Sequence, residues 1–273
     1  MEKPESLILK GRTILVADDN PINQKLMEGM LSRTGAEVFR ADGGNEAVTV
    51  FKNHPEIDVI LMDVHMPGMS GLEAARKIRS ECMEKQSDVV ILAVTASVMA
   101  SDVQGIKDAG MDDYLAKPFT YTEFVDKITA FLDEKNRKRP AASEKNNKNP
   151  KQGPGIDISS LHDMAGGDKA MMLELMELFL DQTPILLSEM RSACEAQDWQ
   201  ELSVKAHKLK PTFNYMGMAE AFEISDKLET FKDRPRGKAI ESAKTLLDRL
   251  TELARKSYPD LETMAESYRR EIN

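Results

Sequence analysis

Between Asp133 and Gly155 runs DEKNRKRPAASEKNNKNPKQGPG, which holds no large apolar side chain and seven basic residues against three acidic ones. Nothing in it can be buried to offset the conformational entropy of ordering, so it reads as a linker. This one segment dictates the plan of the chain: the 273 residues must fold as two units on either side of it, each long enough for its own core. As a flexible coil its ends would average roughly 26 Å apart, about 5.5 Å times the square root of its length.

The two halves carry different patterns. In the first, the β-rich runs TILVADD, AEVFRA, IDVILMD, DVVILAVTA and MDDYLAKP alternate with helical segments. Five βα units predict an α/β fold with a doubly wound parallel sheet covered by helices on both faces. Asn20 is placed to cap a helix opened by Pro21, and Ser70 with Glu73 forms a capping box for another. Beyond Ile156 the strands stop. KAMMLELMELFL, WQELSVKAHKLKPTFNYMG, AEAFEISDKLETF and KAIESAKTLLDRLTELARK repeat apolar residues at three and four, as in Leu173, Met176 and Leu180, or Phe222, Leu228 and Phe231. They predict an all-α antiparallel bundle, in which many of the 17 methionines serve as core filler. The expected boundaries are 10–134 for the first domain, 135–155 for the linker and 156–258 for the bundle. DLETMAESYRREIN, in a tail of 259–273, is expected to continue as a helix.

A net charge of -9 gives no basic field to hold nucleic acid or an anionic membrane. The N-terminal MEKPESLILKGR has no apolar core of a signal peptide, and VVILAVTASVMA is too short to span a bilayer. Neither nucleic acid nor membrane insertion is expected. Cys82 and Cys194 lie far apart without ligand spacing, which suits a reducing compartment, and a cytoplasmic location is expected. No GxxxxGK[ST] loop occurs, so the chain itself is not expected to use ATP.

Ligands of open α/β sheets bind outside the carboxyl ends of the strands. Here those ends carry Asp18 and Asp19, then Asp63, Thr95 and Lys117. Converging carboxylates repel one another unless a cation sits among them. Mg²⁺ suits such a site, since it takes few carboxylates and keeps waters that phosphoryl oxygens can replace. Asp63 is the candidate nucleophile, able to take a phosphoryl group as an acyl phosphate. Lys117 and the Thr95 hydroxyl are candidates to neutralise and bond its oxygens, and Pro118 should keep Lys117 extended. His65 either ligates with its ring, acts as a base, or offers only its carbonyl while the imidazole faces solvent; the last is the expectation. His54 and His162 have no visible partner and read as surface or packing residues.

On ILVADDNP, ILMDVHMPGMSG, AVTA and YLAKPF, residues 10 to 134 resemble a receiver domain of bacterial two-component response regulators. The resemblance implies a flavodoxin-like fold with strand order 2-1-3-4-5 and phosphorylation of Asp63. It also implies Mg²⁺ held by Asp19, Asp63 and the His65 carbonyl, with Asp18 nearby through water, and Thr95 with Tyr114 as a switch pair. DDNPINQKL and ASVMASD resemble receivers of hybrid sensor kinases more than those fused to DNA-binding domains.

In the second half, Asp198 with Glu201 marks a helix start. At about 100° per residue, Leu202, Ala206, Leu209, Phe213 and Met216 share one face, and His207 lies roughly 140° away from its centre. His207 is therefore expected to face solvent beside Ser203, Lys210, Pro211 and Asn214, with Gly217 leaving a clearing for another protein. A neutral imidazole is a competent nucleophile near pH 7, and Lys210, one turn on, can neutralise an incoming phosphoryl group. GGDKAMMLELMELFL, DWQELSVKAHKLK and the later glycine make residues 157 to 255 resemble a histidine-containing phosphotransfer (HPt) domain. The family often has glycine where Pro211 stands, so a disturbed helix is expected there.

Together the resemblances imply a phosphorelay protein in which Asp63 and His207 are successive stations. Its partners would be a histidine kinase donor and a receiver domain docking at His207, and the chain could be the C-terminal part of a hybrid kinase. Two other readings stand beside this one. In the first, a phosphorylation-gated adaptor, only Asp63 is modified. The second is an aspartate-nucleophile phosphatase of the haloacid type, which wants its nucleophile after the first strand and a second aspartate two residues on.

Overall fold

The β-rich runs of the first half become five parallel strands: β1 (Thr13–Ala17), β2 (Glu37–Ala41), β3 (Val59–Asp63), β4 (Val90–Thr95) and β5 (Asp113–Ala116), in the order β2-β1-β3-β4-β5. The computed structural model describes residues 7–81, 88–95, 100–134, 156–233 and 238–272. The expected linker 135–155, Cys82 and residues 96–99 of ASVMASD lie outside these described residues. The chain divides into two compact units, Met1–Asn146 and Asn147–Asn273.

In the first unit β1, β3 and β4 are buried at every position, which is why they read as continuous apolar runs rather than alternating ones. β2, at the sheet edge, is largely open. The accompanying helices are α1 (Pro21–Ser32), α2 (Gly44–Asn53), α3 (Gly71–Glu81), α4 (Ala100–Asp108) and α5 (Tyr121–Glu134). Leu15, Ile60, Met62, Ile91 and Ala93 share one core cluster with Phe51, Ala74, Ile78 and Ile106 of the helices. Ile14, Val16, Leu61 and Val94, which alternate with them, are as fully buried and line the other face. The expected caps form: the Asn20 side chain accepts from the Ile22 amide at 3.0 Å, and Ser70 and Glu73 bond reciprocally.

The second unit contains α6 (Ser159–Ala165), α7 (Lys169–Glu195), α8 (Trp199–Tyr215), α9 (Ala219–Glu229), a 3-10 turn (Thr230–Asp233) and α10 (Lys238–Ile272). Asp168 and Asp198 cap α7 and α8 with their side chains. The core joins Met172, Met176 and Phe179 of α7 to Leu202, Ala206, Leu209 and Phe213 of α8 and Leu250, Ala254 and Leu261 of α10. Phe179 meets Phe213 edge-on, 5.9 Å between centroids. The buried face of α7 is rotated from the expected one: Met176 is central, while Leu173 and Leu180 sit at its margin. α8 runs unbroken through Pro211, and α10 runs through Pro259 to Ile272. Among the described residues no helix is long and apolar enough to cross a membrane.

Gly217 corrects the expectation of an open clearing. Its φ is +65°, and an added Cβ would lie 2.1 Å from the Asp157 carbonyl oxygen. The glycine is there so that two backbones can touch, not so that a partner can approach. Gly217→Ala, which meets both the strained φ and the backbone clash, is expected to destabilise the second unit by about 2 kcal/mol or more. Urea unfolding followed by circular dichroism checks this, and a loss under about 0.5 kcal/mol would contradict it.

Candidate functional sites

Adjacent strands of the first unit deliver their ends to one place. Asp63 closes β3, Thr95 closes β4, and Asp18 and Asp19 follow β1 directly; Lys117 follows β5, its amide donating to the Thr95 carbonyl at 2.7 Å. Carboxylate oxygens of Asp18, Asp19 and Asp63 all lie within 4.8 Å of one another. Lys117 Nζ donates to Asp18 Oδ2 at 2.8 Å and to Asp63 Oδ2 at 3.1 Å. Three carboxylates and one ammonium leave a net charge of -2, the complement of a hard divalent cation, and oxygen donors of this kind fit one. Both oxygens of the fully buried Asp18 are occupied: Oδ1 by the Asn20 amide and Asn23 Nδ2, Oδ2 by Asn23 Nδ2 and Lys117.

Asp18 carries the electrostatic cost of this arrangement. Burial pushes its carboxyl up to about 6, with Lys117 pulling it back and the Asp63 charge adding to the rise. Thr95 is 1% exposed. Tyr114 is partly buried against the core cluster, with Lys127 Nζ 5.7 Å from its ring centroid. His65 is exposed, and its amide donates to Asp63 Oδ1 at 3.3 Å. The Lys117–Pro118 peptide is cis. His54 and His162, expected without partners, have them: His54 Nδ1 lies 3.0 Å from Glu56 Oε1 and its ring packs on Phe39, and His162 Nδ1 lies 3.6 Å from Asp163.

In the second unit His207 is not displayed on an open face. Its side chain is 24% exposed, and Ser203, Lys210, Pro211 and Asn214, expected beside it in solvent, are all buried. The projection assumed one buried face, whereas α8 packs on α6 and α7 and also on α9 with the 3-10 turn after it. At this second seam His207 Nδ1 lies 2.8 Å from Glu229 Oε1, and Lys210 Nζ lies 2.5 Å from Glu229 Oε2 and 3.1 Å from Asp226 Oδ1. A carboxylate on Nδ1 fixes the proton there and directs the lone pair to Nε2. Burial by itself lifts the Glu229 carboxyl, but the hydrogen bonds and charges of His207 and Lys210 outweigh it and hold it at about 2. Burial likewise would lower Lys210, and its two carboxylates more than reverse that.

Residues 14–129 match the response regulator receiver domain and residues 174–266 match the Hpt domain. The chain belongs to the receiver–Hpt class of two-component phosphorelay proteins. It is 27% identical over 245 residues to the sensor histidine kinase GacS of Pseudomonas protegens, covering 88% of this chain and 26% of that protein. It thus spans about a quarter of that relative's length. The response regulator DivK of Brucella ovis is 30% identical over 123 residues, which is 45% of this chain and 98% of DivK. Among solved structures, the receiver domain of the sensor histidine kinase PA1611 of Pseudomonas aeruginosa, with a magnesium ion in its active-site cleft, is 36% identical. That match covers 45% of this chain and 98% of that one, with a TM-score of 0.42. The receiver match sets aside the haloacid-type alternative, whose nucleophile would follow the first strand rather than the third.

Reading the sequence missed Glu229 and Asp226 of the Hpt domain. Glu229 lies 22 residues beyond His207, on another helix, and no local spacing marks it.

Two outcomes are expected. Because the folded-state pKa of Asp18 is raised, its contribution to receiver stability is full below pH 3.8 and lost as pH rises through about 6. A divalent cation favours the ionised form, so it should raise the receiver melting temperature several degrees at pH 7.5 and much less at pH 4.5, measured by calorimetry; equal shifts would contradict this. Glu229 is the opposite case: its stabilisation is present above pH 4.5 and lost as pH falls towards about 2. Glu229→Gln, with no carboxylate to protonate, should lose less Hpt stability over that range than wild type, by on the order of 1 kcal/mol in urea midpoints.

Proposed function

We propose that Asp63 accepts a phosphoryl group from a phosphohistidine of a histidine kinase, and that His207 carries a phosphoryl group to or from the aspartate of a receiver domain. The observation that carries this reading is that each candidate acceptor shares a carboxylate site with a lysine ammonium. Lys117 Nζ lies 3.1 Å from Asp63 Oδ2, and Lys210 Nζ grips the same Glu229 carboxylate that His207 Nδ1 meets. In each unit a cation is already at hand for the charge that phosphoryl transfer brings.

In loading, an Asp63 carboxylate oxygen attacks phosphorus as the donor's P–N bond breaks and its electron pair returns to the imidazole. In the second transfer Nε2 of His207 attacks an acyl phosphate, and a carboxylate leaves with the P–O electron pair. Nδ1 keeps its proton against Glu229 throughout, so His207 departs as a neutral imidazole when it hands the group on. Asp19, Asp63 and the His65 carbonyl would hold Mg²⁺, with Asp18 behind them. The ion supplies charge neutralisation at the phosphoryl oxygens. Lys117 and the Thr95 hydroxyl take the remaining oxygens, and Tyr114 follows Thr95 as the switch partner. The donor kinase and a receiver docking at His207 are the partners this chemistry requires, in the cytoplasm.

Labelled phosphoryl donor applied to wild type, Asp63→Asn and His207→Gln tests this. Wild type should carry both an alkali-labile and an acid-labile label. Asp63→Asn should lose the alkali-labile one and His207→Gln the acid-labile one, each by at least about 100-fold. Label on Asp63 alone in wild type and His207→Gln, with none in Asp63→Asn, would favour the phosphorylation-gated adaptor instead.

A further inference from the structure

Three donors rise along one stripe of α8 at the spacing i, i+4, i+7, namely Ser203, His207 and Lys210, and all three close on a single residue. Ser203 Oγ donates to the Glu229 backbone carbonyl at 2.6 Å, His207 Nδ1 meets Glu229 Oε1 at 2.8 Å, and Lys210 Nζ meets Glu229 Oε2 at 2.5 Å. Glu229 is the last residue of α9, where helix carbonyls no longer find partners inside their own helix. Ser203 is 6% exposed, so its hydroxyl cannot exchange this bond freely for water.

The three grips are not equivalent during turnover. Lys210 is shared with Asp226 at 3.1 Å, and on the proposed reading its ammonium is drawn to the phosphoryl oxygens when His207 is loaded. At that moment the Glu229 carboxylate loses one of its two side-chain partners. The Ser203 bond goes to the main chain of Glu229, carries no charge and is indifferent to the arriving group.

We propose that Ser203 is a positioning residue for the phosphotransfer step. By anchoring the Glu229 backbone it keeps that carboxylate on Nδ1 of His207, and so keeps Nε2 the nucleophilic nitrogen, while Lys210 changes partners. This rests on the function proposed above, but its first readout does not require any phosphoryl group.

The test is ¹⁵N NMR of the full-length, histidine-labelled chain above the imidazole titration, with His207 assigned by loss of its signals in His207→Gln. Wild type should show predominantly the Nδ1–H tautomer. Ser203→Ala should shift the tautomer ratio towards Nε2–H by up to about tenfold, the scale of one neutral hydrogen bond, and slow loading of His207 by a similar factor. Ser203→Thr, which keeps the hydroxyl, should restore both. If Ser203→Ala does not fold, Ser203→Cys, with a weaker donor of similar size, should give an intermediate ratio. A wild-type tautomer ratio in a folded Ser203→Ala or Ser203→Cys, whatever its melting temperature, overturns the proposal. A tautomer ratio that depends on Ser203 in a chain whose His207 never takes label would support the anchoring role and count against the phosphorelay reading.

Discussion

One buried ammonium holds the receiver's acidic end together. Lys117, with a side chain 6% exposed, bonds carboxylates that follow β1 and end β3, while its own backbone is tied to the end of β4. Without that charge, Asp18 at 0% exposure beside Asp63 would be a like-charged pair in a low-dielectric interior. The parallel sheet makes the arrangement possible, because every strand points its carboxyl end the same way and neighbouring ends converge. The hydrogen bonds from Asn20 and Asn23 then hold the Asp18 carboxylate, which Lys117 reaches at 2.8 Å.

The Hpt domain solves a related problem with the signs reversed. There a carboxylate, not an ammonium, sits at the centre, with two potential cations round it, while a hydroxyl holds the backbone carbonyl of the same residue. Glu229 is only 30% exposed in its side chain, and burial alone would discourage its charge; the partners on α8 make ionisation favourable. A half-buried imidazole backed by a fixed carboxylate is a more defined nucleophile than one rotating in water, because its tautomer and ring plane are both set.

Much of this could be read from residue order. The strands announced themselves as buried β-rich runs, and the polar residues at their ends are the ones that converge, since in a parallel sheet position along the strand is position in space. Asn20, Ser70, Glu73 and Asp198 cap as their local chemistry demands. The surroundings of His207 were misread for a physical reason. A helical projection assigns one buried face, and α8 is covered on a second side by α9, so Ser203, Lys210 and Asn214 go inside although they are polar. Glu229 was out of reach because the pairing is between helices. Pro211 was expected to disturb the helix, and α8 absorbs it without ending.

The close approach at Gly217 has a bearing on where the Hpt domain begins. The Asp157 carbonyl lies flush against the α8–α9 turn, and the first helix, α6, starts only at Ser159. Residues upstream of any regular structure are therefore masonry for the hairpin that carries His207. A shortened chain cut inside α7 at residue 174, where the family match opens, would leave that turn with a hole on its inner side. The functional edge of this half is set by a single peptide oxygen, well ahead of its main helices.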